Sequence, residues 1–164
     1  MLSLPRYSWS RSVEEPVLHV TRRHLPHWTL AGSTYYVTFH VMQGSFSAAE
    51  RAVVMDHIRA GQPQFYQLAA AVVMPDHVHL LIKPQPGFSL SRVMKGIKGA
   101  CARRLNQLRS AKGRVWHEES WDRIIRDVAE FEEKLQYMYE NPVRRGLVER
   151  TEDYDTWYCN PDFA

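Results

Sequence analysis

Residues 65–83 read FYQLAAAVVMPDHVHLLIK, two apolar runs on either side of a Pro-Asp pair. Proline presets the first corner of a tight turn and aspartate suits the second. The runs therefore predict strands at 65–74 and 77–83 joined as a hairpin, which makes their pairing antiparallel. A third run, TYYVTFHVM at 34–42, is rich in β-branched and aromatic residues and reads as a strand, as does WDRIIR at 121–126.

Helical signals fill the gaps. Ser47 and Glu50 stand at capping-box spacing before a helix expected to run to about residue 60, ahead of Gly61 and Pro63. Ser89 opens a longer helix whose apolar positions, Leu90, Val93, Met94, Ile97, Cys101, Leu105 and Leu108, follow helical spacing. On the wheel, Arg92, Lys95 and Arg103 point away from that stripe, with Lys98 and Arg109 on its flank. Asp127 caps a last helix with Glu130 in capping-box position. That helix is expected to end near Asn141, because Pro142 disfavours helical geometry in the residue before it.

The order β-α-β-β-α-β plus a final helix predicts an α+β, ferredoxin-like split βαβ fold: one antiparallel sheet with helices on one face and a C-terminal helix added. Residues 1–30 read as an arm, 31–148 as the domain and 149–164 as a tail. At 164 residues the chain is long enough to bury a core without staples. Cys101 and Cys159 suggest neither a disulfide framework nor a zinc site. No apolar run approaches the ~18 residues of a membrane span, and the N-terminus lacks a signal-peptide core. A cytoplasmic protein without a membrane partner is the expectation.

Net charge is only +3, but its distribution is uneven. Residues 77–117 carry nine Lys or Arg and no acid, whereas residues 118–140 carry eight acids against three bases. A basic block in a near-neutral chain is a footprint for a polyanion, although many such runs are only a solvated helix face.

His77-Val78-His79 is the sharpest chemical signal. On a strand, residues i and i+2 project from one face, so both imidazoles can reach one ion. Two imidazoles plus an oxygen ligand suit a divalent cation acting as a Lewis acid; the competing reading is a pair of plain strand histidines. On the last helix Phe131, Leu135 and Met138 make the buried stripe, and Tyr137 and Asn141 fall side by side on its flank, clear of it. Tyr139 borders the stripe and reads as a packing residue. A phenol is a weak nucleophile at neutral pH, with a reference pKa of ~10, unless a base or cation-rich site assists it. A tyrosyl phosphodiester conserves bond energy, so strands can be rejoined without ATP.

The strings VVMPDHVHLLIKP, GIKGACARRLN, WHEESWDRIIRD and YMYENPVRRGLV resemble, in matching order, the REP-associated tyrosine transposases of the single-tyrosine HUH family. The opening RRHLPHWTLAGSTYYVTFHV is similar to that family's start, and the resemblance runs from about residue 22 to 148. It implies a ferredoxin-like domain that binds single-stranded DNA hairpins. It also implies DNA cleavage with Mg²⁺ or Mn²⁺ through a 5′-phosphotyrosine, leaving a free 3′-OH. Carried onto this chain, the metal pair is His77 and His79, the third ligand Asn141 and the nucleophile Tyr137. Where the family often has Tyr-Ile-His, this chain has Tyr137-Met138-Tyr139.

For DNA contacts the sequence offers Arg92, Lys95, Lys98 and Arg103 on the basic helix and Arg144 and Arg145 after the last one, with phosphate contacts giving salt-sensitive affinity. Trp28, Trp116 and Trp121 are stacking candidates, Trp121 being the one best read as packing at a strand start. His24 and His27 read as structural or DNA-contacting residues. The alternatives are a domesticated hairpin-binding protein that mobilises nothing, and a metal phosphodiesterase that uses water. Monomer and homodimer both remain open.

Overall fold

A computed structural model describes residues 18–22 and 26–163, with side chains from residue 31 onward. His24 and the side chains of His27 and Trp28 lie outside the described residues. The elements are β1 (Leu18–Arg22), β2 (Pro26–Leu30), β3 (Tyr35–Val41), α1 (Ala48–Ala60), β4 (Tyr66–Val73), β5 (His77–Pro84), α2 (Leu90–Arg109), β6 (Trp116–Ile124), α3 (Val128–Arg144) and β7 (Trp157–Cys159). The five-stranded sheet has the order β6-β3-β5-β4-β7 and every pairing is antiparallel. Its first four strands are the split βαβ arrangement expected from the element order.

The Pro75-Asp76 pair makes the β4–β5 turn, closed by the Met74 amide donating to the His77 carbonyl at 2.8 Å. Alternation then sorts the residues of β3 and β5 between two faces. Tyr35, Val37, Phe39, Val78, Leu80 and Ile82 pack with α1 and α2, while Tyr36 and Leu81 pack with Phe131, Leu135 and Met138 of α3. α1 and α2 thus cover one face and α3 the other, each over its own apolar layer.

Caps behave as the sequence indicates. The Ser47 amide donates to Glu50 at 2.9 Å and the Glu50 amide to the Ser47 hydroxyl at 3.2 Å. At α3 the Glu130 amide donates to Asp127 at 2.8 Å, but the Glu130 carboxylate reaches back to the Arg126 amide, one residue before the cap. Its other oxygen pairs with Arg123.

Four details differ from expectation. β6 starts at Trp116 instead of 121, because the polar residues 117–120 of this edge strand carry no apolar alternation. α3 continues through Pro142 to Arg144. Proline forfeits one helical bond, to the Met138 carbonyl, but its ring is buried and the last turn persists. Leu108 lies past the end of the core and is exposed. After α3 the chain returns to the sheet: β7 pairs with β4, and the Tyr154 and Thr156 hydroxyls both donate to the Val73 carbonyl at 2.8 Å. At the other end, residues 18–30 include the β1–β2 hairpin, which approaches β6.

Candidate active site

β5 opens with His77, and strand alternation sends His77 and His79 to the α3 face, both buried, their rings 4.7 Å apart. His77 Nδ1 lies 2.7 Å from an Asp76 carboxylate oxygen. Only an N–H fits there, so the proton sits on Nδ1 and Nε2 presents a lone pair. His79 Nδ1 lies 2.8 Å from both the Tyr36 and the Thr38 hydroxyls, while its Nε2 is buried without a partner. A bare lone pair at Nε2 costs less than an orphaned N–H, so the proton again belongs on Nδ1. Burial, with His77 and His40 adding to it, pushes His79 down to about 3, and the ring is neutral. Burial also lowers His77, against the opposing pull of Asp76. Two neutral imidazoles held by their Nδ1 atoms are the form in which histidine ligates metals.

α3 brings its own residues to this pair. Tyr137, Asn141 and Arg145 follow one another at one-turn spacing. Tyr137 packs edge-on against His79 at 5.6 Å between ring centroids. Arg145 reaches the second Asp76 oxygen at 3.4 Å. Asn141, one turn from each along the helix, is 5% exposed, with its amide nitrogen unpartnered. The wheel reading placed Tyr137 and Asn141 together and clear of the core. That is right for Tyr137, which is 43% exposed, and wrong for Asn141, which the unbroken last turn presses toward the sheet. Arg144 lies over the Tyr137 ring, 5.9 Å from its centroid, and pairs with Glu140. Tyr139 turns the other way, with its hydroxyl on Glu152 and its ring edge-on to Trp157.

Among the described residues no group of three or more His, Cys, Asp or Glu is gathered to hold a metal ion. A cation on His77 and His79 would take its third protein ligand from the Asn141 amide. The orphaned His79 Nε2 fits that role, since buried polar atoms are otherwise satisfied, whereas Asn141 would ligate through its amide oxygen, its unpartnered nitrogen being a donor.

The candidate DNA contacts divide between the faces. Arg144 and Arg145 flank the histidine pair, whereas Arg92, Lys95 and Arg103 are exposed on α2, across the sheet. Lys98 is engaged within the fold: its ammonium donates to the His117 and Glu118 carbonyls and the Ser120 hydroxyl at 2.8–3.2 Å, pinning β6 to α2. Trp116 is buried against Phe39 and Phe46, and Trp121, expected to pack, is 46% exposed. Sequence reasoning missed Tyr36, Thr38, His40 and Asp76. Tyr36, Thr38 and His40 alternate along strand 34–42 and were visible as one face, but their partner strand was not.

Residues 50–124 match the family model of IS200-like transposases, a span that holds both histidines and stops before α3. A REP-associated tyrosine transposase of Haemophilus influenzae is 27% identical over 99 residues, 54% of this chain and 56% of that protein. One of Escherichia coli is 26% identical over 100 residues, 59% of this chain and 56% of that protein. Over just over half of its length the chain is similar to REP-associated tyrosine transposases. It spans just over half the length of the curated relatives it matches. A solved REP-associated tyrosine transposase, bound to a REP hairpin, aligns with a TM-score of 0.65 at 20% identity over 87% of this chain and 92% of that one, so the two share a fold. Among the described residues no helix is long and apolar enough to cross a membrane.

Proposed function

We propose that this chain is a metal-dependent DNA strand transferase that cleaves and rejoins single-stranded DNA beside a hairpin through a 5′-phosphotyrosine on Tyr137. The observation that carries the reading is the packing of Tyr137 on His79 of its own chain, beside an imidazole nitrogen that has no protein partner. His77, His79 and Asn141 would hold Mg²⁺ or Mn²⁺, which when bound draws charge from the scissile phosphate and eases departure of the 3′-oxygen.

The chain's own groups do the rest. The Tyr137 oxygen attacks phosphorus; the new O–P bond forms as the bond to the 3′-oxygen breaks. The phenolic proton passes to solvent, to which the exposed ring is open, and the leaving oxygen takes up a proton as a 3′-OH. Attack by a 3′-OH on the tyrosyl phosphate runs the same step backward and seals the strand. Arg144 and Arg145 would hold phosphates beside the break, and Arg92, Lys95 and Arg103 the hairpin stem. The names of the relatives and their shared fold support a hairpin substrate. With the tyrosine and histidines contributed by one chain, a monomer suffices.

The test is a denaturing gel of protein, Mn²⁺ and single-stranded hairpin DNA from the gene's own flanks. A covalent adduct is expected for the wild type and none for Tyr137→Phe, with hairpin binding retained. Cleavage by Tyr137→Phe to the same ends would transfer the chemistry to water. No cleavage by either protein would leave a binding protein only.

A further inference from the structure

Four rings form a line across the α3 face of the sheet. Tyr137 meets His79 edge-on at 5.6 Å, His79 stacks on Tyr36 at 5.5 Å, and Tyr36 meets Trp121 edge-on at 5.7 Å. The first three belong to the site already described; Trp121 does not. Its register partner on β3 is Thr38, whose own partner on β5 is His79, so the three side chains share a face. Two strand spacings, about 10 Å, separate Trp121 from His79. On the same strand Trp116 is 5% exposed between Phe39 and Phe46, yet Trp121 leaves almost half of its surface in water. Trp121 is thus a large apolar plate open to solvent at the end of a run of ring contacts that starts at Tyr137.

Its surroundings favour a nucleobase. Arg123 follows on the same face of β6, and Lys134 lies over the Tyr36 ring at 5.6 Å, each partly neutralised by Glu130 or Glu133. An aromatic plate bordered by cations suits a flat uncharged ring on an anionic backbone. On the opposite side of β6, a groove of about 660 Å³ between α2 and that strand is lined by Met94, Lys95, Arg114 and Trp116. One route from the basic face of α2 to Tyr137 runs round the β6 edge of the sheet, and Trp121 stands on it.

We infer that the indole of Trp121 is a base-stacking subsite that receives the unpaired nucleobase next to the phosphodiester Tyr137 attacks. The inference rests on the strand-transfer reading above. Stacking is tolerant of base identity, so the subsite sets how the single strand is threaded and leaves its sequence to other contacts.

The test compares binding of a labelled DNA hairpin with short unpaired thymidine flanks against the same hairpin cut flush. Wild type is expected to prefer the flanked hairpin. Trp121→Ala should lose about tenfold or more on the flanked form and nothing on the flush form, which also reports folding. Trp121→Phe should retain most of the preference, and one abasic position in the flank should reduce wild type to the level of Trp121→Ala. If Trp121→Ala keeps the full flank preference, or alters sedimentation instead of flank affinity, the subsite is overturned while the transferase reading stands. If wild type binds neither hairpin, both fall.

Discussion

Asp76 joins His77 to Arg145: one carboxylate oxygen accepts the His77 Nδ1 proton at 2.7 Å, and the other meets the Arg145 guanidinium at 3.4 Å. A turn residue of the β4–β5 hairpin is thereby clamped to the end of α3, with Asn141 one turn away. Asp76→Ala releases both contacts. Mn²⁺ affinity, read by calorimetry, should fall about 10- to 100-fold, while the melting temperature changes little because the carboxylate is half-exposed.

Tyr36 and Thr38 hold His79 from behind. The pair Tyr36→Phe with Thr38→Val strips both hydroxyls from Nδ1 and leaves a buried N–H unsatisfied, a cost of about 1–3 kcal/mol. Either single change leaves one hydroxyl and should be milder. Nitrogen-15 shifts of the His79 ring are expected to show the Nδ1 proton in the wild type and a mixture of tautomers in the double variant.

The two tyrosines of α3 should separate cleanly. Tyr139→Phe removes only the bond to Glu152 and keeps the ring packed on Trp157, so the covalent DNA adduct should survive. Asn141→Ala should reduce the adduct by at least about tenfold and lower Mn²⁺ affinity, with tyrosine still in place. Adduct lost in Tyr139→Phe but kept in Tyr137→Phe would reverse the assignment.

Lys95 and Lys98 are three residues apart and should behave oppositely. Lys95→Ala should leave stability alone and lower the salt dependence of DNA binding by about one counterion. Lys98→Ala unpins β6 from α2 and should cost about 1 kcal/mol of stability, measured by urea unfolding. Salt titrations of both variants on one oligonucleotide distinguish them.

Acid should loosen α3 at its start. Burial pushes the Glu130 carboxyl up, but the Arg126 amide and guanidinium and the Arg123 guanidinium outweigh it and hold the group below its ordinary value. A carboxyl lowered in the folded state adds stability above its unfolded pKa and loses it as pH falls through the folded one. Glu130→Gln should therefore lower the melting temperature by a few degrees at neutral pH, and the gap to wild type should close in acid.

The sequence exposed what local chemistry decides. Pro75-Asp76 marked the hairpin, Ser47 and Asp127 marked helix starts, the i, i+2 pair put both histidines on one face, and the wheel brought Tyr137 beside Asn141. Relations between distant elements were hidden. A wheel shows which side of a helix is apolar but not which side of a sheet it covers, so the separation of Arg92, Lys95 and Arg103 from Tyr137 was invisible. Lys98 looked like a surface cation because its carbonyl partners belong to an edge strand without apolar alternation. β7, three residues long, has too little length to show a period, and the exposure of Trp121 depends on β6, whose first half was read as loop.

One consequence follows from helices standing on both sides of a single sheet over separate apolar layers. The sheet is a bulkhead: a repacked side chain under α2 disturbs Tyr137 only through strand backbones. On the strand-transfer reading proposed above, variation in the α2 surface and variation around Tyr137 can then accumulate independently, and a copy that loses its phenol keeps its α2 face.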